Sequence, residues 1–183
     1  MKKTYKPAAN SRISISELMQ PSHSNFNGKI HGGYILNLMD QIAFACASKH
    51  SEAYCVTASV NTVDFLNPIE IGELVTMKAS VNYVGNTSMV VGIRVIAENI
   101  RTGNVKHCNS SYFTMVAKND DNESVAVPGL ILSNSIEIRR FLKAIELIKS
   151  KENRHEVFNF NHKTFAAENY LHILEPYKVK IEL

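Results

Sequence analysis

The sequence is poor in cysteine and contains no long apolar run. Its three cysteines, Cys46, Cys55 and Cys108, are odd in number and form no CxxC pair. This pattern argues against a disulfide scaffold and against a zinc site, and it favours buried thiols in a reducing, cytoplasmic compartment. The longest apolar run, residues 42–47, is far too short to cross a bilayer, and no apolar segment follows the N-terminal lysines as a secretory signal would require.

The chain also has no cluster of basic residues. Its 20 Lys and Arg against 17 Asp and Glu give a formal net charge of +3 at pH 7, spread along 183 residues. A nucleic-acid-binding stripe is therefore not expected, whereas a mildly basic surface suits an anionic small molecule. The composition, 45% hydrophobic and 20% charged, is that of one globular domain with a tail.

Hydrophobic periodicity predicts one long helix followed by strands. Residues 13–19 alternate as a first strand, and the nearly all-apolar stretch after Gly33 predicts a buried helix. A phase slip near Asn61 and Thr62 predicts a β-bulge in the next strand, which Asn67-Pro68 would end. Alternation then predicts three more strands in a four-strand meander, at residues 75–83, 89–97 and 105–117. This order predicts an α+β fold in which a curved antiparallel sheet wraps around one long central helix.

After Pro128-Gly129 the pattern changes to that of an added C-terminal helix. Residues 134–150 predict an amphipathic helix, with these apolar side chains at helical spacing: Ile138, Phe141, Leu142, Ile145 and Ile148. The tail after it has no clear period, although its last residues, YKVKIEL, alternate like a strand. We therefore expect a main domain at residues 1–128 and an extension at residues 129–183 that covers the sheet or tightens an oligomer.

The apolar helix carries a single carboxylate, Asp40. With Asn37 and Gln41 it forms one small polar patch on the helix surface. Burying an unpaired ionisable group costs several kcal/mol, about 2 kcal/mol and upward even for a neutral polar group, so a functional role is indicated. The structural alternative is a paired acid that orders an interface.

The entrance of this helix is rich in glycine. Gly28, Gly32 and Gly33 permit close backbone approach where unpaired N–H groups and the helix dipole attract an anion, including a carbonyl oxygen that becomes negative during attack. The alternative is that these glycines only allow a tight turn. Asp40 lies about 10 Å along the axis from Gly33, too far to act on a group bound at its own entrance, so a partner subunit would have to supply the missing half.

The run NFNGKIHGG from Asn25 to Gly33, followed by Met39-Asp40, resembles the hotdog-fold acyl-CoA thioesterases, both the bacterial short- and medium-chain enzymes and the brain acyl-CoA hydrolases. Similar segments follow at residues 56–60, 64–68, 72–73 and 87–88, so the resemblance spans residues 11–128. It implies the hotdog fold, active sites at a dimer interface and commonly a hexamer of three dimers. It also implies hydrolysis of fatty acyl-CoA to free fatty acid and coenzyme A, with no metal and no cofactor.

The resemblance also implies roles for individual residues. Asn25 matches the family's catalytic asparagine and Asp40 its catalytic acid, from opposite sides of the dimer interface. Asp40 would act as general base or as nucleophile, while Asn25 and the Gly33 N–H polarise the carbonyl oxygen. Asn25 has a local alternative, a bond from its side chain to the loop backbone. Contacts with substrate or coenzyme A are expected from His31, Gly32, Thr57, Thr87, Ser88 and Arg139.

Two other functions stay open. A hotdog dehydratase or hydratase would need a histidine paired with an acid, and only His31 is near. A non-catalytic acyl-CoA sensor would need an output module, for which only the segment after Pro128 is available, and that segment does not resemble a helix-turn-helix. The preferred acyl chain length depends on how deep the tunnel between helix and sheet runs and on which of these residues closes it: Tyr34, Leu36, Phe65 or Met89.

Overall fold

The computed structural model of the chain describes residues 4–157, with side chains to residue 150. The helices are α1, Gly32–Ser51, and α2, Ser135–Val157, with short 3-10 turns at Ala8–Ser11 and Pro21–His23. The strands are β1 Tyr5–Pro7, β2 Ile13–Leu18, β3 Tyr54–Val60, β4 Glu73–Val84, β5 Ser88–Asn99, β6 Val105–Lys118 and β7 Gly129–Ile131. Within residues 4–157, no helix combines the length and apolar character that a membrane span needs.

Five strands form one antiparallel sheet in the order β2-β4-β5-β6-β3. The hairpins β4–β5 and β5–β6 confirm part of the predicted meander, but β3 lies beside β6 and not beside β4. The connection at residues 61–72 carries the chain from β3 at one edge of the sheet to β4, which is next to the opposite edge strand β2. On the way it contacts the segment before α1, where the Ile30 N–H donates to the Ile69 carbonyl oxygen. Alternation predicts that a segment is a strand, but it does not identify the neighbouring strand.

The predicted bulge exists but at a different place. The register of β3 against β6 shifts between Thr57 and Ser59, not near Asn61 and Thr62. The strand ends at Val60, and one further bond, from the Asn61 N–H to the Tyr112 carbonyl oxygen, is made before the chain leaves the sheet. The prediction that Asn67-Pro68 ends the strand is therefore wrong. The apolar residues beyond Val60 belong to the edge-to-edge connection and not to the strand register.

The core lies between α1 and the concave face of the sheet. Ile35, Met39 and Ile42 on α1 pack with inward residues of the strands, among them Met77 and Met89, in one continuous hydrophobic cluster. All three cysteines are free and buried, as predicted. Burial raises the pKa of the Cys46 thiol to about 12 and also raises that of Cys108, so neither thiol is a nucleophile near neutral pH.

The first turns of α2 attach to the outer side of the sheet through polar contacts. Glu137, only 5% exposed, accepts a hydrogen bond from Arg12 Nη2 at 2.7 Å, and its own N–H donates to the Asn134 side chain. Phe141 lies against Tyr83, with ring centroids 5.3 Å apart. The predicted helix is confirmed, but Ile138 and Leu142, expected on its buried side, are 48% and 56% exposed.

The division of the chain into units differs from the predicted division into domains. A first unit, which contains the sheet and α1, ends at Ile145, and a second begins at Glu146. The boundary between residues 1–128 and 129–183 stays a prediction. The short parallel ladder of β1 with β7 was not predicted from either three-residue segment. The irregular tail and its YKVKIEL strand lie outside the described residues.

Protonation of His50 should make the stability of the fold depend on pH. His50, at the end of α1, is 1% exposed, and its Nε2 lies 2.9 Å from the Pro128 carbonyl oxygen. Burial lowers its pKa from the ordinary value of 6.5, so the unfolded chain binds the proton more tightly. The contribution of the neutral His50 side chain to the free energy of unfolding is complete above pH 6.5. It is lost as the pH falls towards the folded-state pKa, and the free energy of unfolding decreases by at most about 1.4 kcal/mol per pH unit.

The measurement is urea unfolding at pH 7.5 and 5.5 for the wild type and for His50→Gln, which can still donate to the Pro128 carbonyl oxygen but does not titrate. We expect the loss of unfolding free energy on acidification to be smaller in the variant. An equal loss in both proteins would show that His50 does not carry the effect.

Candidate active site

The loop before α1 fixes the orientation of the Asn25 side chain. Its Oδ1 accepts the Asn27 N–H at 2.9 Å and the Lys29 N–H at 3.1 Å, and Gly28 turns the chain with φ of 72°. Because the oxygen faces into the loop, the side-chain NH₂ group is directed outward and is available as a donor. The two roles considered for Asn25, local loop bonding and donation to a carbonyl, are therefore compatible.

The entrance of α1 holds His31, Gly32 and Gly33 together. His31 is the N-cap residue, and its Nδ1 accepts the Gly33 N–H at 2.9 Å. A Cβ added to Gly32 would come within 3.3 Å of the Phe65 ring, so this glycine permits the close approach of the connection at residues 61–72. The Gly33 N–H, predicted to polarise a carbonyl oxygen, already has a partner within its own chain.

Asp40 lies on an exposed face of α1 with Asn37 and Gln41, as the spacing predicts. The expectation that the whole helix is buried is wrong for this face, although the opposite face is in the core. Thr57 Oγ1 donates to Asp40 Oδ1 at 2.6 Å, a short bond typical of a hydroxyl and a carboxylate. Thr57 lies at the register shift of β3, where a bulge re-aims side chains, and this places its hydroxyl on Asp40.

The predicted site residues thus form two groups on α1. Asn25, His31, Gly32 and Gly33 surround its entrance, and Asp40 with Thr57 lies two turns further along, about 10 Å by the helical rise. No hydrogen bond joins the two groups within the described part of the chain. In a single chain the acid is therefore separated from the entrance, as predicted.

Thr87, Ser88 and Arg139 lie apart from both groups. Ser88 begins β5 after the turn at Gly85 and pairs with Val116, which pairs with Val56 on β3, so it lies two strand spacings, about 10 Å, from the strand that carries Thr57. Arg139 is exposed on α2, whose neighbouring residue Arg140 contacts Ser80. One chain therefore does not bring these three residues together with Asp40.

Tyr34, predicted only as a residue that could close the acyl tunnel, supports the entrance together with two residues that were not predicted, Glu17 and His23. Tyr34 donates its hydroxyl to Glu17 Oε1 and stacks on His23 with centroids 4.0 Å apart. The bond to Glu17 is the main cause that raises the pKa of Tyr34 to about 12. The His23 carbonyl oxygen in turn accepts the His31 N–H at 2.9 Å. These residues come from β2, a 3-10 turn and α1, and no local sequence signal links them.

Apolar side chains are exposed near Asp40. Phe44, one turn after Asp40 on α1, meets Tyr54 on β3 edge to face at 5.6 Å, and both are exposed. β3 is an edge strand, so among residues 4–157 one side of its backbone has no neighbour in the sheet. An unpaired strand edge beside exposed apolar groups is typical of a surface that another chain covers. Other large exposed apolar residues of this part of the chain are Val60, Phe65 and Leu66.

A metal centre has no candidate ligands in the described residues. Among residues 4–150, no three side chains of His, Cys, Asp or Glu are grouped so that they could hold a metal ion. The chemistry available at this site is that of a carboxylate, a carboxamide and backbone N–H groups.

A curved antiparallel sheet around one long helix, with an acid on the exposed helix face and a glycine-rich entrance, defines the hotdog class of proteins. The sequence profile of the thioesterase superfamily matches residues 27–104. The chain belongs to this superfamily. Its most similar relatives include protein VdlD of Helicobacter pylori, 42% identical over 82% of this chain and 84% of that protein. Another is the uncharacterized acyl-CoA thioester hydrolase YkhA of Bacillus subtilis, 31% identical over 79% and 84%.

Solved structures resemble the fold over most of the chain. An apo-hexameric acyl-CoA thioesterase superposes with a TM-score of 0.81, is 31% identical and covers 83% of this chain and 97% of its own. The acyl-CoA hydrolase of Staphylococcus aureus, in complex with butyryl coenzyme A, coenzyme A and coenzyme A disulfide, gives a TM-score of 0.78 at 26% identity, over 93% and 98%. Structures of that protein also exist with one Asp, one Asn or one Thr replaced by alanine.

Proposed function

We propose that this protein is an acyl-CoA thioester hydrolase that releases a free fatty acid and coenzyme A. The observation that carries the proposal is the Asp40 carboxylate, held by the Thr57 hydroxyl at 2.6 Å on the exposed face of α1 whose entrance presents the Asn25 amide. An oriented carboxylate and preorganised donors are the groups that ester and thioester hydrolysis requires. The names of the relatives and the structures with coenzyme A support this chemistry.

Residue spacing supports the same three side chains. Asn25 and Asp40 are 15 residues apart, and Asp40 and Thr57 are 17 apart. In the Staphylococcus aureus acyl-CoA hydrolase, the replaced Asn and Asp are also 15 apart, and the replaced Asp and Thr are also 17 apart. Because both the Asn-to-Asp and the Asp-to-Thr spacings are equal in the two proteins, they support equivalent positions for the three residues on the shared fold.

The complete site is proposed to form between two chains. Asp40 lies about 10 Å from the entrance of its own helix, so the Asn25 loop of one protomer would face the Asp40 of its partner. The exposed edge strand β3 and the apolar residues beside Asp40 supply a surface for this pairing. Hexameric relatives support a further assembly of three such dimers. A symmetric dimer would contain two equivalent sites.

The proposed reaction needs no metal. Asp40 takes a proton from water as the water oxygen attacks the thioester carbonyl, and the Asn25 NH₂ and the Gly33 N–H donate to the oxygen that becomes negative. The intermediate collapses, the carbon–sulfur bond breaks, and the thiolate of coenzyme A takes the proton back. In the other route Asp40 attacks the carbonyl and water then hydrolyses the anhydride.

Oxygen labelling separates the general-base route from the anhydride route in which water attacks the aspartyl carbon. A single turnover in ¹⁸O-labelled water places labelled oxygen in the fatty acid if water attacks the thioester. If Asp40 attacks first and water then attacks the aspartyl carbon, the fatty acid instead receives an unlabelled oxygen from Asp40.

The remaining residue roles stay proposals. Gly32, Thr87, Ser88 and Arg139 are expected to contact the acyl-CoA, and the last three would reach a site only in the assembled oligomer. The acyl chain would enter between α1 and the sheet, where Tyr34 and Leu36 are half-buried beside the core.

The direct test is thiol release from acetyl-, butyryl-, octanoyl- and palmitoyl-CoA. Turnover of one or more of these substrates supports the hydrolase, and the profile of kcat/KM gives the chain length. Crotonyl-CoA, followed for loss of its double bond, tests the hydratase alternative in the same samples. Binding of acyl-CoA without release of thiol from any substrate contradicts the hydrolase and leaves the sensor.

Thr57→Val should lower kcat about tenfold, because one hydrogen bond to a charged group contributes about 1.5 kcal/mol and valine has the same shape without the hydroxyl. Thr62→Val is the matched control, since it is the same change at an exposed threonine in the connection after β3. Kinetics of thiol release check this. Equal kcat in Thr57→Val and the control would contradict an orienting role for the Thr57 hydroxyl.

A further inference from the structure

The side chain of His31 occupies the position where the proposed mechanism needs a carbonyl oxygen. Its Nδ1 accepts the Gly33 N–H at 2.9 Å. A Cβ added to Gly33 would meet His31 Cε1 and Nδ1 at 3.0 Å, so the ring lies directly against this amide. One N–H cannot make two good hydrogen bonds at once. The ring and a thioester carbonyl oxygen would therefore compete for the same donor.

The backbone of His31 is held independently of its ring. The His31 N–H donates to the His23 carbonyl oxygen at 2.9 Å, and the His31 carbonyl oxygen accepts the Tyr34 N–H at 3.0 Å. The residue is exposed, and within the described part of the chain its ring makes one hydrogen bond, from the Gly33 N–H. The ring can therefore turn away about its side-chain bonds while the start of α1 and the Asn25 loop keep their positions.

We propose that His31 is an internal ligand of the oxyanion site, which holds the Gly33 N–H until the carbonyl oxygen of an acyl-CoA replaces it. This inference rests on the proposed function and deepens it. His31 is then a positioning residue and not a substrate contact, because the neutral ring leaves the donor before the substrate occupies it. An Nδ1 that accepts this bond carries no hydrogen, so the ring is the neutral tautomer protonated at Nε2. The helix is capped before binding, and acyl-CoA binding includes the loss of one neutral hydrogen bond.

Two substitutions separate this role from its alternatives. His31→Ala removes the internal ligand, whereas His31→Asn keeps an acceptor, because asparagine Oδ1 is the same number of bonds from the backbone as histidine Nδ1 and asparagine is a good N-cap. Each is made in the Asp40→Asn protein, in which turnover of bound butyryl-CoA is expected to be at least a hundredfold slower. Calorimetry measures the affinity of each double variant and of the Asp40→Asn parent for butyryl-CoA and for coenzyme A, which lacks the acyl carbonyl.

We expect His31→Ala to bind butyryl-CoA about fivefold more tightly, the scale of one neutral hydrogen bond, with the affinity for coenzyme A unchanged and the Tm lowered by loss of the cap. His31→Asn should restore both wild-type values. Weaker binding of butyryl-CoA by His31→Ala would instead identify His31 as a substrate contact. Unchanged binding with a lowered Tm would reduce it to a helix cap. Either result overturns the proposal.

A crystal structure of the Asp40→Asn protein gives a readout that does not depend on activity. With butyryl-CoA, the ring should have left Gly33 and the acyl carbonyl oxygen should accept the Gly33 N–H, whereas with coenzyme A alone the ring should stay. If the wild type releases thiol but the ring keeps its bond to Gly33 in the butyryl-CoA complex, this inference fails and the hydrolase stands. If butyryl-CoA displaces the ring but no thiol is released by the wild type, the hydrolase fails and this inference stands.

Discussion

Asp40→Asn should lower kcat for thiol release by a factor of a hundred or more and leave the binding of acyl-CoA within a few-fold of wild type. The substitution keeps the size of the side chain, and the Thr57 hydroxyl can still donate to the remaining amide oxygen. It removes the base that takes a proton from water, and the loss of such a group costs about 10²–10⁴ in rate. Asp40 is exposed in the single chain, so the fold itself should be little affected.

The matched control is Asp121→Asn, the same change at an exposed carboxylate in the turn after β6. Thiol release, acyl-CoA binding and Tm are measured for both variants and the wild type. The control should keep the wild-type kcat. If Asp40→Asn kept it as well, Asp40 would be neither the general base nor the nucleophile, and its bond to Thr57 would be a structural feature of the exposed face.

Asn25→Asp should also lower kcat about a hundredfold, on the scale of one lost oxyanion donor. The aspartate keeps an oxygen for the Asn27 and Lys29 N–H groups, so the loop is preserved. It has no NH₂ group to donate to a carbonyl oxygen. This variant therefore separates the catalytic role of Asn25 from its role in the loop. Asn25→Ala would remove both roles at once.

Mixing the two inactive variants tests whether the site forms between chains. When Asn25→Asp and Asp40→Asn are co-expressed with different tags and isolated together, each mixed dimer has one site with both defects and one intact site. Random assortment should restore about a quarter of the wild-type activity in the unselected mixture and about half in mixed dimers isolated through both tags, far above either variant alone. Copurification of the two tags shows whether mixed oligomers have formed.

The opposite result is equally clear. If mixed oligomers stay as inactive as the separate variants, both residues act within one chain, and the 10 Å along α1 would have to be closed by a change in the chain. If activity returns, the edge strand β3 and the apolar residues beside Asp40 become the first candidates for the surface that joins the protomers.

The structure at the entrance changes how the predicted oxyanion group is understood. Asn25 presents its NH₂ outward because two backbone N–H groups hold its oxygen, so one donor is ready. The second donor, the Gly33 N–H, is bonded to His31. The two predicted donors therefore differ in availability, although both lie in one nine-residue motif.

Sequence reasoning reached the fold class because its signals are local. The alternation in β4, β5 and β6 and the apolar length of α1 depend on neighbouring residues only, and the observed elements confirm them. The polar patch of Asn37, Asp40 and Gln41 was predictable for the same reason, since helical spacing alone places the three residues on one face. The motif from Asn25 to Gly33 with Asp40 identified the family, and the superfamily match confirms it.

Only the tertiary structure decided the relations between distant segments. β3 lies at the edge of the sheet beside β6, and the connection at residues 61–72 then leads across to β4. The pairing of β3 with β6 is accompanied by the bond from Thr57 to Asp40. The support of the entrance by Glu17, His23 and Tyr34 joins three elements that share no sequence pattern.

The sequence by itself indicated which residues could carry the proposed chemistry, because residue type and local spacing are properties of the chain. The structure decided how those residues are oriented and which of them are already bonded, because hydrogen bonds such as Thr57 to Asp40 and Gly33 to His31 depend on where folding places each atom. It also decided that the polar face of α1 is exposed and its apolar face buried, since the curved sheet covers one side of the helix only.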